Sequence, residues 1–184
     1  MLQIKVKRRT DGEFNRRAKC AGKQETNMND LTFRPFMPQD KAEVIAFFAD
    51  MGERSSSFFN VAHGNERRTM EFFENGKRDH RFFGLFEDGR LLAYAFIWDV
   101  DRTVVWFGIA VRDGYQGRGL GGELTNRVLE ECRKAGHAAV LLRTRADNVR
   151  ARKLYESQGF EEIGTHQSGE ILYIRRFCLR ECSL

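Results

Sequence analysis

The stretch Arg112-Asp113-Gly114-Tyr115-Gln116-Gly117-Arg118-Gly119-Leu120-Gly121-Gly122 decides how this chain is interpreted. It follows a predicted strand over residues 103–111 and opens a predicted helix over residues 120–135, whose apolar residues recur at helical spacing. Glycines let a backbone approach an anion closely, and the first N–H groups of a helix lack intrahelical partners. A glycine-rich segment in this position therefore predicts a phosphate-binding loop.

Three phosphate-binding patterns were tested on this loop. The P-loop pattern is excluded because no Gly-Lys-Ser/Thr occurs. Gly117-x-Gly119-x-x-Gly122 matches the dinucleotide fingerprint, but antiparallel hairpins precede it and the strand ends too early for the tight first turn. Gln116-x-x-Gly119-x-Gly121 has neither difficulty. For this loop alone, a glycine-rich turn that only packs the helix on the sheet remains an alternative.

A second motif lies one predicted strand later and reads Asn148-x-x-Ala151-x-x-Leu154-Tyr155-x-x-x-Gly159-Phe160. Its spacing places the alanine, leucine and tyrosine on one face of a helix that ends near Gln158. Each residue also has an ordinary structural interpretation, as N-cap, core aromatic or helix-ending glycine. The two motifs in this order resemble the GNAT acetyltransferase family, and the resemblance covers about residues 31–177.

The resemblance implies both a ligand and site residues. The implied cofactor is acetyl-CoA, the acetyl donor, and no metal is implied. The cofactor-binding residues by resemblance are Ile109, Ala110, Val111, Gln116, Gly117, Arg118, Gly119, Leu120, Gly121, Gly122 and Asn148. Tyr155 is the implied proton donor to the departing thiolate and the only catalytic residue assigned. The fold implied is a single α/β (α+β) domain, with a mixed, mostly antiparallel sheet flanked by about four helices.

The general base and the amine acceptor are not identified by the sequence. The strand before the loop reads TVVWFGIAV and holds no carboxylate. Candidate bases are Glu71, Asp99, His63, His80 and His166, or a chain of waters. Phe58, Phe59, Phe72, Phe73 and Trp106 are candidates for the acceptor pocket, with core packing as the alternative. A protein N-terminal amine, an amino acid, a polyamine and an amino sugar all stay open.

The flanking sequence predicts the remaining elements in order. Alternation predicts a strand over 31–36, and helical spacing predicts helices over 40–51 and 65–74. Strands over 81–87 and 91–100 meet at Asp88-Gly89, a two-residue hairpin signal. Beyond the loop helix, the chain predicts a strand over 138–145, a helix ending at Gln158, and strands over 160–165 and 171–177.

The net charge of +5 belongs to the N-terminal segment. Residues 1–27 carry eight basic and three acidic side chains, whereas residues 28–184 carry 23 of each. We therefore expect 1–27 to be a basic, disordered extension and 28–184 to be the acetyltransferase domain. A neutral domain gives no field that would attract nucleic acid, although a basic extension that docks on RNA or ribosomes is an alternative.

Composition narrows the remaining classes. No apolar run is long enough to cross a membrane, and no secretory signal is apparent. Four cysteines without zinc spacing predict free thiols and a cytoplasmic location. A small-molecule or peptide amine is the expected partner, and a homodimer is compatible with the sequence. A non-catalytic acyl-CoA-binding module is the alternative to an enzyme.

Overall fold

The computed structural model describes residues 30–59, 64–76 and 79–177. Seven strands and five helices follow one another in this part of the chain. They are β1 (Thr32–Pro35), α1 (Lys41–Ala49), α2 (Glu53–Phe59), α3 (Asn65–Asn75), β2 (His80–Glu87), β3 (Arg90–Trp98), β4 (Val104–Val111), α4 (Leu120–Lys134), β5 (Ala139–Thr144), α5 (Val149–Ser157), β6 (Glu161–Thr165) and β7 (Ile171–Arg176). The prediction for residues 1–27 lies outside the described residues.

All seven strands form one sheet, in the order β1-β2-β3-β4-β5-β7-β6. The β4–β5 pair is parallel and the other five pairings are antiparallel. Asp88 and Gly89 take φ of 48° and 81°, as a two-residue hairpin turn between β2 and β3 requires. The predicted mixed, mostly antiparallel sheet is confirmed.

Helix α2 is the element that the sequence did not predict, so the described chain has five helices rather than four. Its sequence, ERSSSFF, has no apolar period. Tertiary hydrogen bonds hold it instead, because the Asp113 carboxylate accepts from Gly52 N at 2.8 Å and from Ser55 Oγ at 2.5 Å. Docking onto the glycine-rich loop thus overrides weak local propensity.

The sheet separates two apolar clusters. One includes α4 residues such as Leu124 and Val128 together with Leu142 and Tyr173 from the sheet. The other is aromatic and centres on Tyr94, which is fully buried and shares a 2.7 Å hydrogen bond with the Thr69 hydroxyl. Cys132 is buried in the first cluster, and burial raises the pKa of its thiol to about 12. Cys132 is a free thiol, as predicted, whereas Cys20, Cys178 and Cys182 lie outside the described residues.

Candidate active site

Strands β4 and β5 separate part of the way along their length. Their parallel pairing runs from Val104↔Ala139 to Trp106↔Leu141 and stops there. Beyond this point β4 continues to Val111 while still paired with β3 on its other side. Within the described sheet, residues 107–111 therefore have a backbone edge without a neighbouring strand on the β5 side, and an extended ligand can bind along such an edge.

A cavity of about 800 Å³ opens at this separation. Eleven of the twelve site residues implied by the resemblance line it: Ile109, Ala110, Val111, Gln116, Gly117, Gly119, Leu120, Gly121, Gly122, Asn148 and Tyr155. The twelfth, Arg118, does not line the cavity. Its guanidinium donates to Gly114 O at 2.9 Å and lies 4.6 Å from the centre of the Tyr115 ring. The fold thus brings both motifs to one cavity.

The start of α4 has the features of an anion site. Gly119 is the N-cap residue of α4 and has φ of 85°. No side chain caps this end of the helix. A Cβ built at Gly119 would meet no atom within 4 Å, so the space beside it is open. The first N–H groups of α4 lack intrahelical acceptors, and the helix dipole adds positive potential there. The loop therefore has the backbone features of an anion-binding site.

Gly121 and Gly122 differ from Gly119 in their role, which is to allow two helices to pack closely. A Cβ at Gly121 would lie 3.2 Å from Leu154 Cδ2, and one at Gly122 would lie 3.6 Å from Gln158 Nε2. These glycines let the first turn of α4 pack closely against α5. The second motif therefore supports the first by direct contact.

Gln116 links the loop to both flanking helices. Its amide nitrogen donates to Asp113 Oδ1 at 2.8 Å and to Ser55 Oγ at 3.2 Å. Its amide oxygen accepts from Arg150 Nη1 at 2.8 Å. One side chain thus holds the loop between α2 and α5. The sequence identified Gln116 by motif, but its partners are far apart in the chain.

A buried arginine fixes the beginning of the loop. Arg112 is 3% exposed, and its guanidinium donates to Leu91 O at 2.8 Å and to Glu43 Oε1 at 2.6 Å. It also pairs with Asp50. Because a buried guanidinium needs its partners, this network ties the end of β4 to α1.

Tyr155 lies on α5, at the β5 side of the cavity. Asn148 caps this helix, with its side-chain oxygen accepting from Ala151 N at 3.3 Å. Tyr155 is 6% exposed, and its ring packs against Phe160 and Tyr173. A tyrosine hydroxyl is protonated at neutral pH, and burial raises the pKa of this phenol further. Within residues 30–59, 64–76 and 79–177 this hydroxyl has no hydrogen bond, which leaves it able to donate one.

The bases suggested by the sequence do not reach the cavity. None of Glu71, Asp99, His80 and His166 lines it, and His63 lies outside the described residues. The carboxylates that do line it are Asp147 and Glu170. Arg145 binds Asp147 through two hydrogen bonds and lowers its pKa. Arg143 lies 3.3 Å from Glu170, which also accepts from Ser168 Oγ at 2.7 Å.

Part of the cavity lining is aromatic. Of the predicted aromatics, Phe58, Phe59 and Trp106 line it, whereas Phe72 and Phe73 pack in the aromatic cluster. Phe96 and Trp98 also line it and were not predicted. They sit opposite Gly108 and Trp106 in the β3–β4 register, which places all four on one face of the sheet. Aligning the predicted strands β3 and β4 as an antiparallel pair in the sequence would have identified Phe96 and Trp98 as candidates.

The described fold thus combines an open strand edge, a helix N-terminus and a buried tyrosine around one cavity. A sequence model of the acetyltransferase (GNAT) family matches residues 41–160, and the chain belongs to this family. The chain is an acyl-CoA-dependent N-acetyltransferase, with acetyl-CoA as its donor.

Two curated relatives show the range of the similarity. The [ribosomal protein bS18]-alanine N-acetyltransferase of Escherichia coli (strain K12) is 36% identical over 101 residues, which are 55% of this chain and 68% of the relative. The mycothiol acetyltransferase of Beutenbergia cavernae is 41% identical over 80 residues, 43% of this chain and 27% of the relative. The match to the latter is therefore confined to a small part of that protein.

Solved structures share the fold. A GNAT acetyltransferase from Streptococcus pneumoniae aligns with a TM-score of 0.68 at 20% identity, over 80% of this chain and 99% of that one. An N-acetyltransferase from Thermoplasma acidophilum, solved in complex with coenzyme A, aligns with a TM-score of 0.65 at 13% identity, over 80% and 99%. In the described residues, no helix is long and apolar enough to cross a membrane, and no group of three metal-ligating side chains occurs.

Proposed function

We propose that this acetyltransferase transfers the acetyl group of acetyl-CoA to a primary amine, of a small molecule or a peptide N-terminus, while both substrates are bound. The observation that carries the proposal is that one cavity joins the loop at the start of α4, the open edge of β4 and the Tyr155 hydroxyl. Donor and acceptor can therefore meet without a covalent enzyme intermediate, and proximity supplies much of the rate gain.

In this proposal the backbone holds the donor. The N–H groups at the start of α4 bind the pyrophosphate, and the open edge of residues 109–111 binds the pantetheine arm. Arg150, which already bonds to Gln116, adds positive charge at the loop. Asn148 acts as the N-cap of α5, because its side chain fixes the first turn of the helix that carries Tyr155. Arg118 contributes its backbone N–H only.

Acetyl-CoA supplies an activated thioester carbonyl. The neutral amine forms the new C–N bond as the C–S bond breaks, and the Tyr155 hydroxyl gives its proton to the departing sulfur. A phenol is protonated at neutral pH, so the hydroxyl holds this proton until the C–S bond breaks. The excess proton on nitrogen leaves to water, and a proton from water restores the Tyr155 hydroxyl.

The relatives offer two kinds of acceptor. One is named for an alanine of a ribosomal protein and the other for mycothiol. We extend to this chain only the common element, a primary amine. The free thiol of Cys132 and a donor that is itself a metabolite favour a cytoplasmic location.

Thiol release from acetyl-CoA, measured against a panel of small amines and peptides, tests the proposal. Calorimetry with acetyl-CoA alone provides the second measurement. Binding together with amine-dependent thiol release supports the enzyme. Binding without turnover on any amine would support the non-catalytic module, and no binding would refute the site.

A further inference from the structure

Arg68 of α3 presents a guanidinium at the aromatic end of the cavity. It lies 4.2 Å from the centre of the Trp98 indole, and that indole stacks on Phe96 with ring centres 4.2 Å apart. Arg68, Trp98 and Phe96 all line the cavity. Stacking on an aromatic face holds a guanidinium in place while its N–H donors stay free to bind a ligand.

This arginine lies far from the phosphate loop. Trp98 pairs with Trp106 at the beginning of β4, whereas the loop follows Val111 at the end of that strand. Five residues of extended chain separate the two points, about 16 Å. Arg68 is therefore placed beyond the reacting end of a donor that runs along β4, on the side from which the acceptor enters.

Among the described residues that line the cavity, Arg68 has no acidic partner. The charged side chains lining it are Arg54, Arg68, Arg143, Arg150, Asp147 and Glu170. Both carboxylates are paired with an arginine, Asp147 with Arg145 and Glu170 with Arg143. Among the residues that the structure describes, no carboxylate lies within 4 Å of the Arg68 guanidinium. The neighbouring segments 60–63 and 77–78 contain no acidic residue.

We infer that the acceptor is an amine that carries a carboxylate, and that Arg68 binds this carboxylate. The inference rests on the proposed function and names its substrate class. A guanidinium binds a carboxylate through two parallel hydrogen bonds, which are strong where aromatic walls exclude water. The same positive charge disfavours a polyamine, whose second ammonium group would face Arg68 and Arg54.

Matched substrates test the inference. Glycine is compared with glycinamide, and β-alanine with its amide, in the wild type and in Arg68→Met. The acid-to-amide ratio of kcat/KM is taken within each enzyme, and comparing the two ratios cancels the difference in amine pKa. We expect the ratio to fall about 10- to 100-fold in Arg68→Met, through loss of charged hydrogen bonds. Arg67→Met is the control, because Arg67 is exposed, pairs with Glu71 and does not line the cavity.

Intrinsic fluorescence gives a readout independent of turnover. The chain has two tryptophans, Trp98 and Trp106, and both line the cavity. Titration with a carboxylate-bearing amine should change the emission of the wild type and of Arg67→Met, but not that of Arg68→Met. Equal kcat/KM for acids and amides in the wild type, each corrected for its fraction of neutral amine, would overturn the inference, and this comparison needs no variant to fold. Turnover of amides or polyamines alone would reject it while leaving the proposed function intact.

Discussion

At the residue scale, the site depends on groups whose chemistry is set by burial. Tyr155 illustrates this, because packing against Phe160 and Tyr173 removes water from its ring and raises its pKa. The same burial makes the hydroxyl separable from the ring: removing one oxygen leaves the packing of α5 unchanged. The role of Tyr155 as proton donor can therefore be tested without disturbing the fold.

We predict that Tyr155→Phe lowers kcat by about 10²- to 10⁴-fold, the usual loss when a positioned general acid is removed. Its dissociation constant for acetyl-CoA should stay the same, because the loop at the start of α4 is untouched. Single-turnover kinetics and calorimetry measure the two quantities separately. Wild-type kcat in this variant, with chemistry rate-limiting, would exclude Tyr155 as the acid, and a parallel loss of binding would make it a structural residue.

Gly119 provides a second test at this scale. We predict that Gly119→Glu abolishes acetyl-CoA binding, because the substitution places a side chain and a negative charge where the phosphates bind. Gly89→Glu is a matched control, since Gly89 has φ of 81° against 85° for Gly119 and a Cβ there also meets open space. Both variants carry the same backbone strain, and calorimetry should show normal binding for the control. Binding by Gly119→Glu would remove the loop from the site.

At the element scale, the sequence predicted elements with strong periodicity and missed the one without it. The α4 and α5 motifs fixed the position of the loop, because glycine spacing and helix capping are local properties. Helix α2 depends on hydrogen bonds to Asp113, which is remote in sequence, so no local sequence pattern predicts this helix. Arg68, Arg143 and Glu170 reach the cavity from α3, β5 and the β6–β7 turn for the same reason.

We predict that Asp113→Ala loosens α2 and weakens acetyl-CoA binding. The carboxylate accepts from Gly52 N, Ser55 Oγ and Gln116 Nε2, so its removal releases both the helix and the loop. Amide hydrogen exchange should accelerate in residues 53–59 while β3 keeps its protection. Asp101→Ala, in the turn between β3 and β4 at the other end of these strands, is the control. Unchanged exchange in α2 would show that other contacts suffice to hold it.

At the scale of the whole molecule, one ion pair couples stability to pH. Asp40 is nearly buried and accepts two hydrogen bonds from Arg34, at 2.6 and 2.8 Å, and one from Met37 N at 2.7 Å. The hydrogen bonds from Arg34 lower the pKa of Asp40 in the folded state. Its stabilisation is therefore present above the unfolded-state pKa of about 3.9 and is lost as pH falls through the folded-state value.

We predict that Asp40→Asn lowers the free energy of unfolding at pH 7 by about 1–3 kcal/mol. Below about pH 4 the wild type approaches the variant, because protonated Asp40 loses the same ionic interaction. Urea denaturation of both proteins across the acid range measures this convergence. If the two proteins differed in unfolding free energy by the same amount at every pH, the Arg34–Asp40 pair would not be the cause of the acid dependence.

The N-terminal segment is the remaining question for the whole molecule, and it stays a prediction. Charge and composition both change near Met28, and 80% of this chain spans 99% of the Streptococcus pneumoniae structure. We therefore predict that residues 28–184 fold alone and bind acetyl-CoA with the dissociation constant of the full chain. Thermal denaturation and calorimetry of the two proteins test this.

The same deletion separates the domain from its basic segment. Residues 1–27 carry a surplus of five positive charges, whereas the rest of the chain is balanced. Any binding of the full chain to RNA should therefore weaken as salt rises and vanish in the shortened protein, because counterion release supplies the affinity. Acetyl transfer to small amines should persist in both. A large loss of stability on deletion would contradict the prediction, because it would show that the segment packs on the domain rather than extending from it.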